Sequence, residues 1–502
     1  MAQRGSSGGE SSISRIGRRS FLQTGVGLGV GLGVGSMGLA PRTASARPHT
    51  VVGRGREPGR AKNLIFMVSD GMSFGTLTIA DTVMRVREGK SSAWCGLWDK
   101  PGVRRSMQMT ACADAFVTDS AAAAAGWGCG HACNTGVLNI DPDGKQFLPL
   151  LVHARQNGKA TGVVTTARVT HATPAGFCAN VPHRDLEDDI AVQQLERGID
   201  VILGGGAKHF PDELLARHPE WKVARTRDEL AKVSAEVIAS QGRMVGLFGR
   251  EHVAHVLDRG PEVPPLEEMA MAAIQRLERS PEGFVLQIEG GRVDHAAHDN
   301  DAASLVYEQI EFDRTLAKVL EWLEGRDDTM LVVTADHATA NPGLTLYGKR
   351  GEKALAKLLD ARHSFEWMFE EISRAKKGST DLGKSVRDIV EQGTGIRIDD
   401  ESHGLFMTRL SSKRVMPFRD ANTSTSVLGA ILASSFGVSF VSPNHTSDMV
   451  ELTSLGPGSE KMRPTMRNRD VWNVVTEAMG FEPCRLLDGM DKIVQLRRIE
   501  GD

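Results

Sequence analysis

Cysteine is scarce. Six residues in 502 (Cys95, Cys112, Cys129, Cys133, Cys178 and Cys484) are too few for a fold stapled by disulfides. None forms a C-x-x-C pair, so a cysteine-based zinc site has no support. The expectation is small buried thiols, with one or two disulfides in an oxidising compartment. An excess of one charge is also missing. Lys+Arg is 60 against 63 Asp+Glu, net −3, and without a basic field nucleic acid is excluded as the main partner. Nor is there a run of about 20 strongly apolar residues, the length a membrane-spanning helix needs. The weakly apolar stretch from Thr24 to Ala40 has glycine at nearly every second position. What is present, 40% hydrophobic and 25% charged residues, is the mix of a soluble globular protein. The length allows several domains, or one large α/β domain with insertions.

The first 46 residues read as an address. Gly17-Arg18-Arg19-Ser20-Phe21-Leu22-Gln23 precedes the glycine-rich run, and Ala44-Ser45-Ala46 follows it as a small-x-small cleavage pattern. This resembles a twin-arginine export signal cut after Ala46. The expectation is a periplasmic or secreted protein with no stable membrane anchor, exported folded by the twin-arginine translocation machinery. Residues 47–62, rich in Arg, Gly and Pro, read as a flexible tail.

From residue 63 an event repeats: short apolar runs stop at polar or acidic clusters. Leu64–Ser69 stops at Asp70-Gly71. Gly162–Thr166 leads to His171-Ala172-Thr173-Pro174. Val201–Leu203 stops at three glycines, Phe284–Ile288 at Glu289, and Met330–Thr334 at Asp336-His337. Continuous apolar runs bounded by turn signals are strands buried on both faces. Helical stretches (Asp188–Arg197, Leu266–Arg279, Ala302–Leu323) lie between them. The pattern predicts a three-layer α/β/α sandwich around a large, mostly parallel sheet, with ligands bound beyond the carboxyl ends of the strands. One acid after a strand is commonly a turn residue; several acids and histidines at one edge call for chemistry.

Glu289-Gly-Gly-Arg-Val-Asp294-His-Ala-Ala-His298 is the densest cluster. Asp294 and His298 are four apart, so a helix starting here puts them on one face, and carboxylate with imidazole suits zinc. Asp336-His337 offers the same donors at another strand end. His445, in Ser442-Pro-Asn-His-Thr446, reads alone as a loop histidine. Thr118-Asp119-Ser120 precedes five alanines, a strong helix former. Asp119 or Ser120 would cap that helix, and a serine at a helix N-terminus sits where an anion is attracted.

Together these segments resemble the alkaline phosphatase family. Val68-Ser-Asp70-Gly-Met72, Thr118-Asp-Ser120-Ala, His171-Ala-Thr173-Pro174, Glu289 through His298, Thr334-Ala-Asp336-His337 and Asn444-His445-Thr446 stand in the family's order. The resemblance implies a hydrolase of phosphate monoesters with two zinc ions and one magnesium ion. It implies Ser120 as the nucleophile that carries a phosphoserine intermediate. Asp294, His298 and His445 resemble the ligands of the first zinc. Asp70, Asp336 and His337 resemble those of the second, and Asp70, Thr173 and Glu289 those of magnesium. Arg184, 13 residues after His171, stands at the spacing of the phosphate-clamping arginine, whose fork fits phosphate oxygens. Asp119 precedes the nucleophile. His171 and His295 occupy places where some bacterial members carry Asp and Lys and animal-type members carry His. With His at 171, looser magnesium binding is expected.

The 108 residues from His337 to His445 exceed what the resemblance requires. Helical patterns at Glu352–Leu359, Phe365–Ile372 and Leu382–Val390 predict a crown-like insert over about 345–430. It would sit near the site and at the interface of a homodimer, with the catalytic core in 63–344 and 431–502. Arg467–Phe481 reads as a closing amphipathic helix. Rival readings are a phosphodiesterase or sulfatase of the same superfamily, and a non-catalytic phosphate- or metal-binding protein.

Overall fold

The computed structural model describes residues 60–413, 423–482 and Leu486. The export signal, most of the tail, part of the insert and Cys484 lie outside them. Among the described residues fourteen strands run in chain order: β1 (Asn63–Ser69), β2 (Arg104–Met109), β3 (Ala160–Arg168), β4 (Val201–Gly205), β5 (Trp221–Ala224), β6 (Arg243–Leu247), β7 (Phe284–Gly290), β8 (Thr329–Thr334), β9 (Ala338–Thr339), β10 (Gly343–Leu344), β11 (Val438–Ser439), β12 (His445–Thr446), β13 (Val450–Leu455) and β14 (Thr465–Arg467). Ten form one sheet in the order β14-β2-β13-β8-β1-β7-β3-β4-β6-β5. From β8 to β5 every pairing is parallel. β13 is the exception, antiparallel to both β8 and β2.

The central strands are apolar on both sides because both sides are covered. In β1, Leu64, Phe66 and Val68 face a core holding Ala124, Trp127, Phe177 and Val475. Ile65 and Met67 face the other layer, with Ala273, Phe312 and Leu316. The Ser120–Cys129 and Asn468–Met479 helices lie on the first side, and Leu266–Leu277 and Ala302–Leu323 on the second. This is the three-layer sandwich the sequence predicts. The chain is packed before β1: Ala61 is buried and its N–H donates to Ala478 O. The segment read as a tail therefore ends sooner than residue 62. Cys95, Cys112 and Cys178 are free thiols.

Register brings the acids level. Val68 stands opposite both Glu289 of β7 and Thr334 of β8, and Thr165 of β3 opposite Glu289. Parallel strands in this register end together, so Asp70, Glu289 and Asp336 emerge at one rim. Beyond the rim, β9 pairs with β12, setting His445 against Thr339. The stretch after β10 is helical (Gly348–Leu359, Phe365–Gly378, Leu382–Thr394, Asp400–Leu410, Ser424–Phe436). The last of these opens on a capping box of Thr423 and Ser426. No helix among the described residues is long and apolar enough to cross a membrane.

Candidate active site

Each group of the site is delivered by a strand end or a helix start. Asp70 follows β1 and is fully buried. Gly71 turns the chain with φ +68°, and its N–H donates to Asp336 Oδ1 at 3.0 Å. Ser120 opens its helix, whose cap is Asp119, accepting from Ala122 N–H at 3.0 Å. That helix packs tightly on the short Ala172–Gly176 helix, since a Cβ at Gly128 would collide with the Gly176 carbonyl. The contact holds the Ser120 and His171–Thr173 segments together. Asp294 and His298 lie on one face of the Arg292–His298 helix, Nε2 to Oδ2 3.3 Å.

Among the described residues three possible cation groups result: Asp294, His298 and His445; Asp70, Asp336 and His337; Asp70, His171 and Glu289. In each, the donor atoms lie within 4.8 Å of one another. The imidazole tautomers are dictated by their outer partners. His298 Nδ1 donates to Pro443 O at 2.6 Å and His445 Nδ1 to Thr118 O at 2.8 Å. Both Nε2 atoms therefore face inward, 2.9 Å apart. His337 Nδ1 meets Thr339 Oγ1 at 3.2 Å, and that hydroxyl donates onward to Asp294 Oδ1 at 2.6 Å. His337 Nε2 is thereby turned toward Asp336 Oδ2 (3.0 Å), Asp70 Oδ1 (3.7 Å) and Ser120 Oγ (3.2 Å).

Lone pairs facing lone pairs and carboxylates require something positive between them. Both oxygens of Asp70, Asp336 Oδ2, Glu289 Oε1 and Thr173 Oγ1 are buried without a hydrogen bond, a costly state unless they are ligands. Burial, then the charges of Asp336, Asp294 and Glu289, push Asp70 well above the usual carboxylate range. Burial raises Glu289 to about 7 despite the Thr165 hydroxyl on its other oxygen. Burial opposes protonation of His298, yet Asp294 raises it to about 9. Burial and His337 push His445 down to about 4. A proton on His298 thus stands where a cation fits. The nitrogen-and-oxygen groups suit zinc. The cluster of Asp70, Glu289 and Thr173 hydroxyl oxygens suits a harder ion such as magnesium.

Arg184 lies beside this ring, donating from Nη1 to Asp119 Oδ2 at 3.1 Å and from Nη2 to His171 Nε2 at 3.0 Å. His295 sits nearby, its ring 5.4 Å from that of His171, and its Nδ1 accepts from Arg292 Nη1 at 2.9 Å. Sequence reasoning missed several neighbours. His252 lies 4.2 Å ring to ring from His295, with Nε2 2.6 Å from Arg168 Nη1. Arg168 is also paired with Glu187. The half-exposed Glu366 of the Phe365–Gly378 helix binds Arg292. A signal did exist for two of these: Arg168 ends β3 and His252 follows β6, at the same rim as the acids.

Residues 61–481 match the alkaline phosphatase family. The chain is 28% identical over 431 residues to alkaline phosphatase 4 of Bacillus subtilis, covering 84% of this chain and 89% of that protein. It is 33% identical over 316 residues to the repressible alkaline phosphatase of Saccharomyces cerevisiae, covering 56% and 55%. Among solved structures, the alkaline phosphatase of Thermus thermophilus superposes with a TM-score of 0.77 at 30% identity, covering 89% of this chain and 96% of that one.

Proposed function

The chain belongs to the alkaline phosphatase family and is a phosphomonoesterase, and on that premise we propose a two-step phosphoryl transfer through Ser120. Asp294, His298 and His445 would hold one zinc ion. Asp70, Asp336 and His337 would hold a second, and Asp70, Thr173 and Glu289 a magnesium ion, with Asp70 shared. Bound there, the ions supply Lewis acidity, favouring ionised hydroxyl groups and neutralising the crowded carboxylates. The chain's own residues do the rest. Ser120 Oγ is presented at a helix N-terminus, where the macrodipole favours negative charge. Its oxygen bonds to phosphorus while the ester P–O bond breaks and the alcohol leaves. Water then attacks from the vacated side, the Ser120–phosphorus bond breaks, and inorganic phosphate departs. Arg184, steered by Asp119 and His171, offers its fork to the phosphoryl oxygens. With His instead of Asp at 171, a carboxylate that would support the water around a magnesium ion is missing, so activity should rise with added magnesium.

One observation carries the reading: the Ser120 hydroxyl lies 3.2 Å from His337 Nε2, inside a ring of inward-facing, otherwise unpartnered donors. The test compares an aryl phosphate monoester, its diester and its sulfate ester, with and without chelator. Chelator-sensitive preference for the monoester is expected. Ser120→Ala should lose most turnover and keep its metal content. Near-normal turnover in that variant, or preference for the diester or sulfate, would refute the reading.

Export by the twin-arginine route and a homodimer belong to the same proposal. Support for the dimer comes from exposed large apolar side chains. Phe116 is 88% exposed, Tyr347 93% and Val441 72%, apolar surface of the kind that a second copy would cover. A monomer mass by light scattering would count against it.

A further inference from the structure

Arg184 carries the phosphate-binding part of the proposed reaction, yet it stands on a loop. Its backbone N–H donates to Gly136 O at 2.8 Å, and three residues later the Glu187–Glu196 helix begins. The cap position of that helix, Leu186, offers no side-chain bond. The first helical residue is held from outside instead. Arg168 donates from Nε to Glu187 Oε2 at 2.8 Å and from Nη2 to Oε1 at 2.7 Å. The Thr170 hydroxyl donates to Oε2 at 2.5 Å, and His209 Nε2 lies 3.2 Å from the same oxygen. Arg168 ends β3, and Thr170 directly precedes His171. The fork thus joins the chain just before His171 to the chain just after Arg184. Those are the two segments whose side chains meet at His171 Nε2 and Arg184 Nη2.

Two more contacts extend this node. Arg168 Nη1 lies 2.6 Å from His252 Nε2, and the Arg168 backbone N–H donates to His252 Nδ1 at 3.2 Å. The His252 ring in turn lies 4.2 Å from that of His295 and 5.7 Å from that of His171. The Arg168 and Glu187 side chains are 17% and 11% exposed. An ion pair so far from water gives little net stability, because desolvation offsets attraction, but a bidentate fork fixes orientation. Nor does the helix need Glu187 for its dipole, since Asp188 and Asp189 also place negative charge in its first turn. We infer that Arg168 and Glu187 are positioning residues for the reaction: their pair fixes where the Arg184 guanidinium meets the phosphoryl group. This rests on Arg184 as the phosphate clamp. Charge alone predicts opposite effects of removing the two partners. Without Glu187 the site turns more positive and holds phosphate better; without Arg168 it turns more negative and holds it worse. Positioning predicts weaker phosphate binding in both cases, because either loss frees the Arg184 loop.

The experiment measures kcat and KM on an aryl phosphate, and the Ki of inorganic phosphate, in metal-loaded protein. The variants are Arg168→Met, Glu187→Gln, the double variant and Arg155→Met. Arg155 forms a comparably hidden ion pair with Asp200 at 2.9 Å, but Asp200 precedes β4, at the end of the sheet away from the acids. Each of the first three should raise Ki and KM by at least ~5-fold with a smaller change in kcat, since a misplacement of about 1 Å costs up to about 100-fold. Arg155→Met should lower the thermal midpoint and leave Ki within about 2-fold, as a distant, independent site does. Equal or tighter phosphate binding in Glu187→Gln, or recovery in the double variant, overturns the positioning role. A Ki raised as far in Arg155→Met as in Arg168→Met also overturns it, because general loosening would then suffice. Thr170→Val removes one bond from Glu187 and no charge. It should raise Ki as well, and it decides the matter if Arg168→Met does not fold: an unchanged Ki there refutes the role. Arg184→Ala with an unchanged Ki would instead overturn the clamp itself, so the two failures are distinguishable.

Discussion

Replacing Gly71 by alanine tests the geometry of the rim most directly. Gly71 has φ +68°, and a Cβ there would lie 2.5 Å from Asp294 Oδ1, 2.8 Å from Thr339 Oγ1 and 2.9 Å from Asp294 Cα. The left-handed backbone alone costs an alanine roughly 1–2 kcal/mol. The overlap adds about 1–3 kcal/mol as overpacking, because Asp294 Cα is backbone and cannot swing aside. The total is about 2–5 kcal/mol. Ordinary contact needs about 3.4 Å, so the Asp294 carboxylate must retreat by about 0.9 Å. A displacement near 1 Å at reacting geometry costs on the order of 100-fold in rate. The control is Gly89→Ala, at the end of the Phe74–Glu88 helix. Gly89 has φ +70° and nothing within 4 Å of the added methyl, so it carries the backbone cost without the collision. Thermal unfolding, metal content and kcat/KM on an aryl phosphate are measured for both variants. Gly89→Ala should be slightly less stable and fully active; Gly71→Ala should be markedly less stable and poor in metal and rate. Equal activity in the two variants would refute the argument that this close approach positions Asp294.

Three other outcomes are expected. Asp70→Asn removes a charge that crowds Asp336, Asp294 and Glu289; in chelator its thermal midpoint should rise, by about 1–3 kcal/mol of stability, while zinc should no longer raise it, and a lower midpoint in chelator would contradict this. Burial works against charge on both Glu187 and His209, yet hydrogen bonds from His209, Arg168 and Thr170 hold Glu187 well below its usual range, and Glu187 and Asp188 raise His209. Glu187 therefore stabilises above its unfolded value near 4.5 and fails as pH falls, whereas His209 stabilises fully below about 6.5 and fails as pH rises through its raised folded value; denaturation of His209→Gln should show a smaller stability loss above pH 6.5, and an unchanged slope would refute the pairing. Glu366→Gln loosens Arg292 and through it His295; KM for an aryl phosphate should rise by roughly 3–10-fold with kcat nearly constant, and a fall in kcat alone would point to a different role.

The layered fold is legible because central parallel strands are apolar throughout and end abruptly. β1, β7 and β8 announce both themselves and the acids after them. The polar edge is not legible in the same way: β2 carries exposed Arg104 and Arg105, and β13 joins the sheet antiparallel through pairings more than a hundred residues distant. Asp294 and His298 share a helix face, so local spacing reveals them. His445 is a loop histidine until its Nδ1 is seen on the Thr118 carbonyl. Thr339 and Glu366 are invisible for a related reason: their roles depend on partners that only the folded chain brings near. Arg168 and His252 follow the same strand-end rule as the acids, but β6, which opens on Arg243 and carries Gly246, is too weakly apolar to draw attention.

The bond from His445 to the Thr118 carbonyl joins residues 327 positions apart. A growing polypeptide that has not yet emitted His445 lacks both that tether and the third member of the Asp294 group. A cation could find all three donors of that group only after His445 has docked, and any fragment ending short of His445 would carry the serine helix with no complete cage beside it.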